Sequence, residues 1–151
     1  MRLFFATALA FFAFASAASA AAPGVNVNSV PLSEAGWAKV AESHAKTIRV
    51  WAFMSDIESS PGVLTARVND YRGFADRART LGAGTVITLM GTSNSAAPPD
   101  PVAYARVAQE LATALKGHGV TGYEVWNEPD DAPYWAPAPN PAAYAALLKA
   151  A

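Results

Sequence analysis

The chain has 151 residues, a formal net charge of −1 at pH 7 and no cysteine. Without cysteine it forms no disulfide and no thiolate site, so a hydrophobic core has to hold the fold together. Eleven Lys and Arg stand against twelve Asp and Glu, a balance that argues against nucleic acid or an anionic membrane as a partner.

The N-terminal segment, residues 1–20, has the pattern of an export signal. Arg2 supplies a positive start, residues 3–14 are almost wholly apolar, and the small residues at 18–20 form an A-x-A cleavage site. We predict cleavage at this site, with cleavage after Ala22 as the alternative, and a secreted or periplasmic product that is not held in the membrane. Loss of Arg2 takes the formal net charge from −1 to −2. An uncleaved membrane anchor is the competing interpretation.

The rest of the chain alternates short apolar segments with longer amphipathic ones. Apolar residues spaced three and four apart predict helices, and β-branched or aromatic segments bounded by Gly and Pro predict strands. In chain order, the pattern predicts strands over residues 24–28, 47–53, 85–90 and 121–126, helices over residues 34–44, 64–81 and 101–115 and from 141 onward, and a loop over 59–62. This βαβαβαβα order indicates parallel strands covered by helices, the α/β class.

The fourth predicted strand ends in the stretch YEVWNEPD, residues 123–130. In parallel α/β architectures the loops at the carboxyl ends of the strands converge on one face and carry the chemistry. Asn127 and Glu128 lie at such an end, where a carboxyl group can serve as a proton donor. Because Pro129 restricts the residue before it, we expect Glu128 to be extended.

These residues resemble a known motif. Trp126-Asn127-Glu128-Pro129 at the end of a fourth strand resembles the acid/base motif of the clan A retaining glycoside hydrolases. The wider pattern adds Tyr134-Trp135 and the NPAAY of residues 140–144, and most resembles glycoside hydrolase family 39, the group of β-xylosidases, α-iduronidases and exopolysaccharide endoglycosidases. The resemblance implies a (β/α)8 TIM barrel, of which residues 23–151 form the first four βα units, truncated in the fourth helix.

The resemblance also implies roles for individual residues. Glu128 corresponds to the general acid/base, and Asn127 to the residue that hydrogen-bonds the sugar hydroxyl beside the anomeric carbon. Arg49 resembles the clan's arginine that orients the nucleophilic carboxylate, and a guanidinium inside a barrel needs a carboxylate partner on physical grounds as well. Glu124 lies below the corner on its strand and is interpreted as a buried partner of Arg49 or of another interior polar group. The two-carboxylate mechanism requires no metal or cofactor.

A retaining enzyme needs a second carboxylate about 5–5.5 Å from the first. The resemblance places that nucleophile at the end of a seventh strand, beyond the four predicted units, and a whole barrel takes roughly 250 residues. We therefore predict a fragment of an exported retaining glycosidase acting on poly- or oligosaccharides, inactive by itself. The alternative is a non-catalytic carbohydrate-binding or remnant half-barrel, whose open sheet edges dimerisation would cover. The sequence leaves the glycoside, endo or exo action and the oligomeric state open.

Four aromatic residues and one amide are predicted to contact substrate. Tyr134 and Trp135, in the loop beyond Glu128, are predicted to line the substrate as a platform, because aromatic rings stack on sugar faces. Trp51 suits sugar contact and core packing equally. Trp126 lies two residues before the acid/base residue Glu128, and Asn28, at the end of the first strand, either reaches the same face or only shapes a turn.

The remaining titratable groups have simpler interpretations. Asp130 and Asp131 are predicted to form a turn rather than a cation site, since no spaced calcium-loop pattern is present. His118 lies between two glycines and is predicted to be a solvated turn residue. His44 is predicted to be partly buried on the apolar stripe of its helix. Neither histidine has a second one nearby in the sequence, and no metal site is predicted.

Overall fold

A computed structural model describes residues 21–92 and 95–151 of the chain. The predicted export signal, residues 1–20, lies outside the described residues. The elements in chain order are β1 (Gly24–Val27), α1 (Glu34–Glu42), β2 (Thr47–Phe53), α2 (Met54–Ile57), β3 (Glu58–Ser60), β4 (Val63–Leu64), α3 (Arg67–Thr80), β5 (Gly84–Met90), α4 (Pro101–Ala114), β6 (Val120–Val125) and α5 (Pro141–Ala150).

The centre of the fold is a parallel four-stranded sheet in the order β1-β2-β5-β6. Its strands follow one another in space as they do along the chain, and helices α1, α3 and α4 intervene between them. The predicted α/β class and the predicted order of the four parallel strands are confirmed. Within the described ranges, β1 and β6 each pair with one neighbour, so both outer edges of the sheet are open.

Strand alternation gives the sheet two different faces. In β2, Ile48, Val50 and Ala52 are fully buried, whereas the residues between them are only partly buried. The buried face packs into one core cluster with side chains from the helices, among them Trp37, Phe74, Val107 and Leu111. The second face carries the intervening residues Thr47, Arg49, Trp51 and Phe53, which are only partly buried. We call this second face the open face.

Local capping sets the starts of three helices. The side chains of Ser33, Asp100 and Asn140 each accept a hydrogen bond from a backbone N–H two or three residues further on. Pro101 and Pro141 occupy the first turns of α4 and α5, where a missing N–H costs nothing. In the described part of the chain, no helix combines the length and the apolar character needed to cross a membrane.

The segment between β2 and α3 differs from the prediction. In the predicted loop over residues 59–62, residues 59 and 60 belong to β3 and residues 61 and 62 form the turn of an antiparallel hairpin, in which β3 pairs with β4. The helix predicted from residue 64 therefore begins later, at Arg67. Two contacts of the Glu58 carboxylate stabilise the hairpin. It accepts a hydrogen bond from the Gly62 N–H at 2.5 Å, and it forms an ion pair with Arg106 of α4.

The two histidines lie apart, and one prediction about them is wrong. His44 is exposed, lies just past the end of α1 and has a positive φ of 52°, so it is not on the apolar stripe. His118 lies in the turn before β6, where its Nδ1 is 2.8 Å from Asp76 Oδ2. Among the described residues, no three His, Cys, Asp or Glu side chains come together as a metal site would require.

Candidate active site

The register of the sheet brings polar side chains from three strands together on the open face. Trp51 of β2, Thr88 of β5 and Glu124 of β6 are registered partners across the sheet, and Arg49 lies one row below them. Registered neighbours in parallel strands point to the same side, and alternate residues along a strand do too. Arg49, Thr88 and Glu124 therefore all project from the open face.

These three side chains and Asn127 form a continuous chain of hydrogen bonds. Arg49 Nε donates to Glu124 Oε2 at 2.5 Å, and Thr88 Oγ1 donates to the same oxygen at 2.7 Å. Arg49 Nη2 donates to Asn127 Oδ1 at 3.0 Å. The predicted pairing of Arg49 with Glu124 is confirmed, but the pair is not buried: the side chains are 24% and 41% exposed. A partly solvated pair of this kind contributes about 1 kcal/mol or less to stability.

The corner after β6 has an unusual backbone. Trp126 and Glu128 have φ angles of 71° and 48°, in the left-handed region that costs a residue with a side chain about 1–3 kcal/mol. The expectation that Pro129 holds Glu128 extended is therefore wrong. A proline favours an extended conformation for the residue before it, and Glu128 departs from that preference; the Asp131 N–H donates to its carbonyl at 3.1 Å. Glu128 itself is exposed.

Packing of Trp126 holds this corner in place. The Trp126 N–H donates to the Leu89 carbonyl at 3.1 Å, and its indole Nε1 donates to the Tyr134 carbonyl at 2.8 Å. Its ring meets that of Trp135 edge-on with centroids 5.3 Å apart. Trp126 is 3% exposed, so its ring is part of the core rather than of a substrate surface.

Trp135 also lies in the core, which corrects the predicted aromatic platform. It is 1% exposed and its ring meets that of Tyr144 edge-on at 5.9 Å. The Asp131 carbonyl accepts from the N–H of Trp135 at 2.9 Å and from the N–H of Tyr134 at 3.0 Å. The predicted turn role of Asp131 is confirmed, and of the predicted pair only Tyr134 remains at the surface.

An aromatic cleft lies above the hydrogen-bonded cluster on the open face. Trp51 and Tyr134 meet edge-on, with ring centroids 6.4 Å apart and planes at 76°. With Phe53 they line a cleft of about 370 Å³, whose other lining residues are Met90, Thr92, Ser95, Ala96 and Pro133. Asn28 does not reach this cleft; it lines a separate groove between β1 and α1.

A buried tyrosine, Tyr71, forms hydrogen bonds to the end of β2 and to the segment that follows it. Tyr71 of α3 donates its hydroxyl hydrogen bond to Asp56 Oδ2 at 3.0 Å, and its oxygen is also 3.3 Å from the Trp51 carbonyl. Burial raises the pKa of Tyr71, and the neighbouring Asp56 carboxylate raises this pKa further. The phenol therefore stays a protonated donor over the whole physiological pH range.

Sequence reasoning missed two contributors to this region. Thr88 supplies the second hydrogen bond to Glu124, and Met90 lines the cleft. Alternation along the predicted strand over residues 85–90 does place both on one face. Whether the face with Thr88 and Met90 is the one next to Arg49 depends on the register between strands. No local sequence pattern shows that register.

Comparisons with known proteins show the fold rather than a family. No family model matches the chain, and no curated protein matches it. The chain is similar in structure to Pseudomonas stutzeri endoglucanase Cel5A in complex with cellobiose, with 21% identity, a TM-score of 0.62, and coverage of 85% of this chain and 46% of that one. It is also similar to a GH5_18 protein from Bifidobacterium longum subsp. longum in complex with Manb1-4GlcNAc, with 11% identity, a TM-score of 0.55, and coverage of 76% and 33%.

A third structure, a family 39 glycoside hydrolase from the gut symbiont Bacteroides cellulosilyticus WH2, has 20% identity, a TM-score of 0.47, and coverage of 85% of this chain and 30% of that one. The chain thus spans less than half the length of each of the three. The first two similarities show the fold: the four parallel strands and their helices have the α/β class indicated by the strand order, and they match part of the TIM barrels of those two proteins.

Proposed function

We propose that this chain supplies the acid/base side of the active site in an exported retaining glycoside hydrolase that acts on poly- or oligosaccharides. The observation that carries the proposal is the corner after β6. There Asn127 and Glu128 follow the fourth parallel strand, and Asn127 is hydrogen-bonded to Arg49 of β2. The fold, and the oligosaccharides named with two of the similar structures, support a carbohydrate ligand.

In this proposal Glu128 moves the proton. In the first step it protonates the glycosidic oxygen as the bond to the anomeric carbon breaks and the nucleophile's bond forms. In the second step it takes a proton from the attacking water while the nucleophile leaves. We do not assign the nucleophile to Glu124, because the Glu124 carboxylate is engaged by Arg49 and Thr88.

The test is Glu128→Gln in the protein expressed from its complete reading frame. For glycosides with weakly acidic leaving groups, we expect kcat/KM to fall by about 10²–10⁴-fold, the usual contribution of general acid–base catalysis. For dinitrophenyl glycosides, kcat/KM for the glycosylation step should fall far less, because their leaving group departs without a proton. Asp130→Asn, an exposed acid in the same loop, is the matched control and should change rates by less than about twofold. An equal loss for both leaving groups, or no loss, would overturn the assignment of Glu128.

Azide provides a second readout for the same variant. As an anionic nucleophile it needs no general base, so it should restore turnover of the Glu128→Gln protein on the dinitrophenyl glycoside. The glycosyl azide should have the anomeric configuration of the substrate if the mechanism is retaining. A product of inverted configuration would contradict the retaining mechanism while leaving a glycosidase function in place.

The aromatic cleft favours a second candidate, a carbohydrate-binding protein without hydrolysis. Trp51, Phe53 and Tyr134 are partly exposed there and offer ring faces for sugar stacking. This function predicts that Trp51→Ala and Tyr134→Ala weaken binding of an oligosaccharide such as cellotetraose in calorimetric titration. Glu128→Gln should then leave both binding and the absence of hydrolysis unchanged.

A further inference from the structure

Glu124 holds Arg49 in a way that determines where the rest of the guanidinium points. A guanidinium is planar and carries its five N–H donors in a fixed fork. Glu124 Oε2 accepts from Nε at 2.5 Å, and Nη2 of the same group donates to Asn127 at 3.0 Å. Because the group is rigid, fixing the Nε–H direction also fixes the direction of the Nη2 donors.

Thr88 keeps the Glu124 carboxylate at the correct place. Its hydroxyl donates to the oxygen that also accepts from Arg49, at 2.7 Å. Thr88 is fully buried and lies on β5, between the strands of the other two residues. A β-branched side chain in a strand has few rotamers, so it is a firm support for Glu124.

Arg49 in turn determines the orientation of the Asn127 amide. Asn127 Oδ1 accepts from Arg49, so the amide nitrogen, with its two N–H donors, faces the opposite way. Asn127 is 8% exposed and lies between two residues with left-handed backbone. Strained conformations of this kind persist only when surrounding contacts hold them, and the bond from Arg49 is one of those contacts.

We propose that Glu124 is a positioning residue: with Thr88 it fixes Arg49, and Arg49 orients the Asn127 amide to donate a hydrogen bond to the sugar hydroxyl beside the anomeric carbon. The proposal rests on the proposed glycosidase function. It requires a carboxylate of full length at position 124. Glutamine loses the charge that strengthens both hydrogen bonds, and aspartate is shorter by one methylene and does not span the distance.

The kinetic test pairs variants of Glu124 with a glycoside and its 2-deoxy analogue, in the protein expressed from its complete reading frame. On the parent glycoside we expect Glu124→Ala to lower kcat by up to about 100-fold, the effect of a misplacement near 1 Å, and to change KM by less than threefold. On the 2-deoxy analogue the loss should shrink to about threefold or less, because the hydroxyl contacted by Asn127 is missing. Glu124→Gln should show the same pattern with a smaller loss of kcat. This variant replaces Glu124→Ala in the test if the alanine variant does not fold.

Glu34→Gln is the matched control. It makes the same chemical change in another ion pair, which joins Glu34 of α1 to Arg77 of α3. The nitrogen and oxygen of this pair are also 2.5 Å apart. This exposed pair lies on the helices, so kcat should stay unchanged on both substrates. If the Glu124 variants lose equal factors on the parent and on the 2-deoxy analogue, the positioning role is overturned.

An NMR measurement separates failure of this role from failure of the proposed function. The side-chain amide resonances of Asn127, which makes no hydrogen bond to Glu124 among the described contacts, should shift in Glu124→Gln and remain in place in Glu34→Gln. If the wild type hydrolyses no glycoside, the proposed function fails. The amide shift then supports the positioning of Asn127 by Glu124, and an unshifted amide overturns it.

Discussion

Replacing Trp135 by alanine tests whether this ring supports the fold or binds a ligand. The side chain is 1% exposed and meets the rings of Trp126 and Tyr144 at 5.3 and 5.9 Å. Truncating a buried tryptophan costs about 3–5 kcal/mol, and the two edge-on contacts place this site toward the upper part of that range. We expect Trp135→Ala to lower the free energy of unfolding by about 4 kcal/mol, a large share of the roughly 5–15 kcal/mol of an ordinary domain.

In the protein expressed from its complete reading frame, denaturant unfolding followed by far-UV circular dichroism measures this loss without relying on tryptophan fluorescence. Trp135→Phe keeps part of the packing and should cost about 1–2 kcal/mol, which keeps the test available if the alanine variant does not fold. Trp51→Ala is the control: its ring is partly exposed in the cleft, so it should cost less stability and weaken oligosaccharide binding instead. A Trp135→Ala protein with wild-type stability and lost glycan binding would refute the assignment of Trp135 to the core.

Three further predictions concern the stability and the solution behaviour of the protein. An added Cβ at Gly119 would lie 2.2 Å from the Ala75 carbonyl oxygen; we therefore expect Gly119→Ala to destabilise by about 3 kcal/mol or more in denaturant unfolding. Its control is Gly73→Ala in α3, where a Cβ meets nothing within 4 Å and helix propensity predicts a gain of up to about 1 kcal/mol; equal effects of the two would contradict the packing. Tyr104→Phe removes the hydroxyl hydrogen bond to the Leu89 carbonyl at 2.7 Å. That carbonyl keeps a backbone donor, so the same measurement should show a loss of only about 1 kcal/mol, and a loss above about 3 kcal/mol would contradict this. The 151-residue chain expressed alone, with both sheet edges open, should aggregate or bind the dye ANS, and a monomer with a sharp thermal transition would contradict that expectation.

Local sequence predicted the elements well where caps and alternation are strong. The strand over residues 47–53 has the bounds predicted for it, because β-branched and aromatic residues fill a segment that alternates between the two faces. Ser33 and Asp100 cap α1 and α4 and are of residue types that favour helix N-caps. The hairpin at residues 58–64 was missed, since its stability depends on the contact of Glu58 with a helix more than forty residues later.

The corner after β6 shows where local reasoning ends. Tyr134 and Trp135 are adjacent aromatic residues in one loop and were predicted to act alike. Packing against the rings of Trp126 and Tyr144 places Trp135 in the core, whereas Tyr134 stays in the cleft. The left-handed backbone of Glu128 likewise departs from the rule for residues before proline.

The sequence by itself determined the βα order of this protein and the position of Asn127 and Glu128 at a strand end. Periodicity, capping and turn residues act between neighbours in the chain, so they can be recognised without a structure. The sequence indicated Glu124 as a partner of Arg49, but the tertiary structure alone decided that Thr88 and Asn127 join this pair. Glu124 lies 36 residues from Thr88 and 75 from Arg49 along the chain, and only the register of three parallel strands brings them within hydrogen-bond distance. That register is set by the packing of the whole sheet against its helices, so it cannot be predicted from any single segment of the sequence.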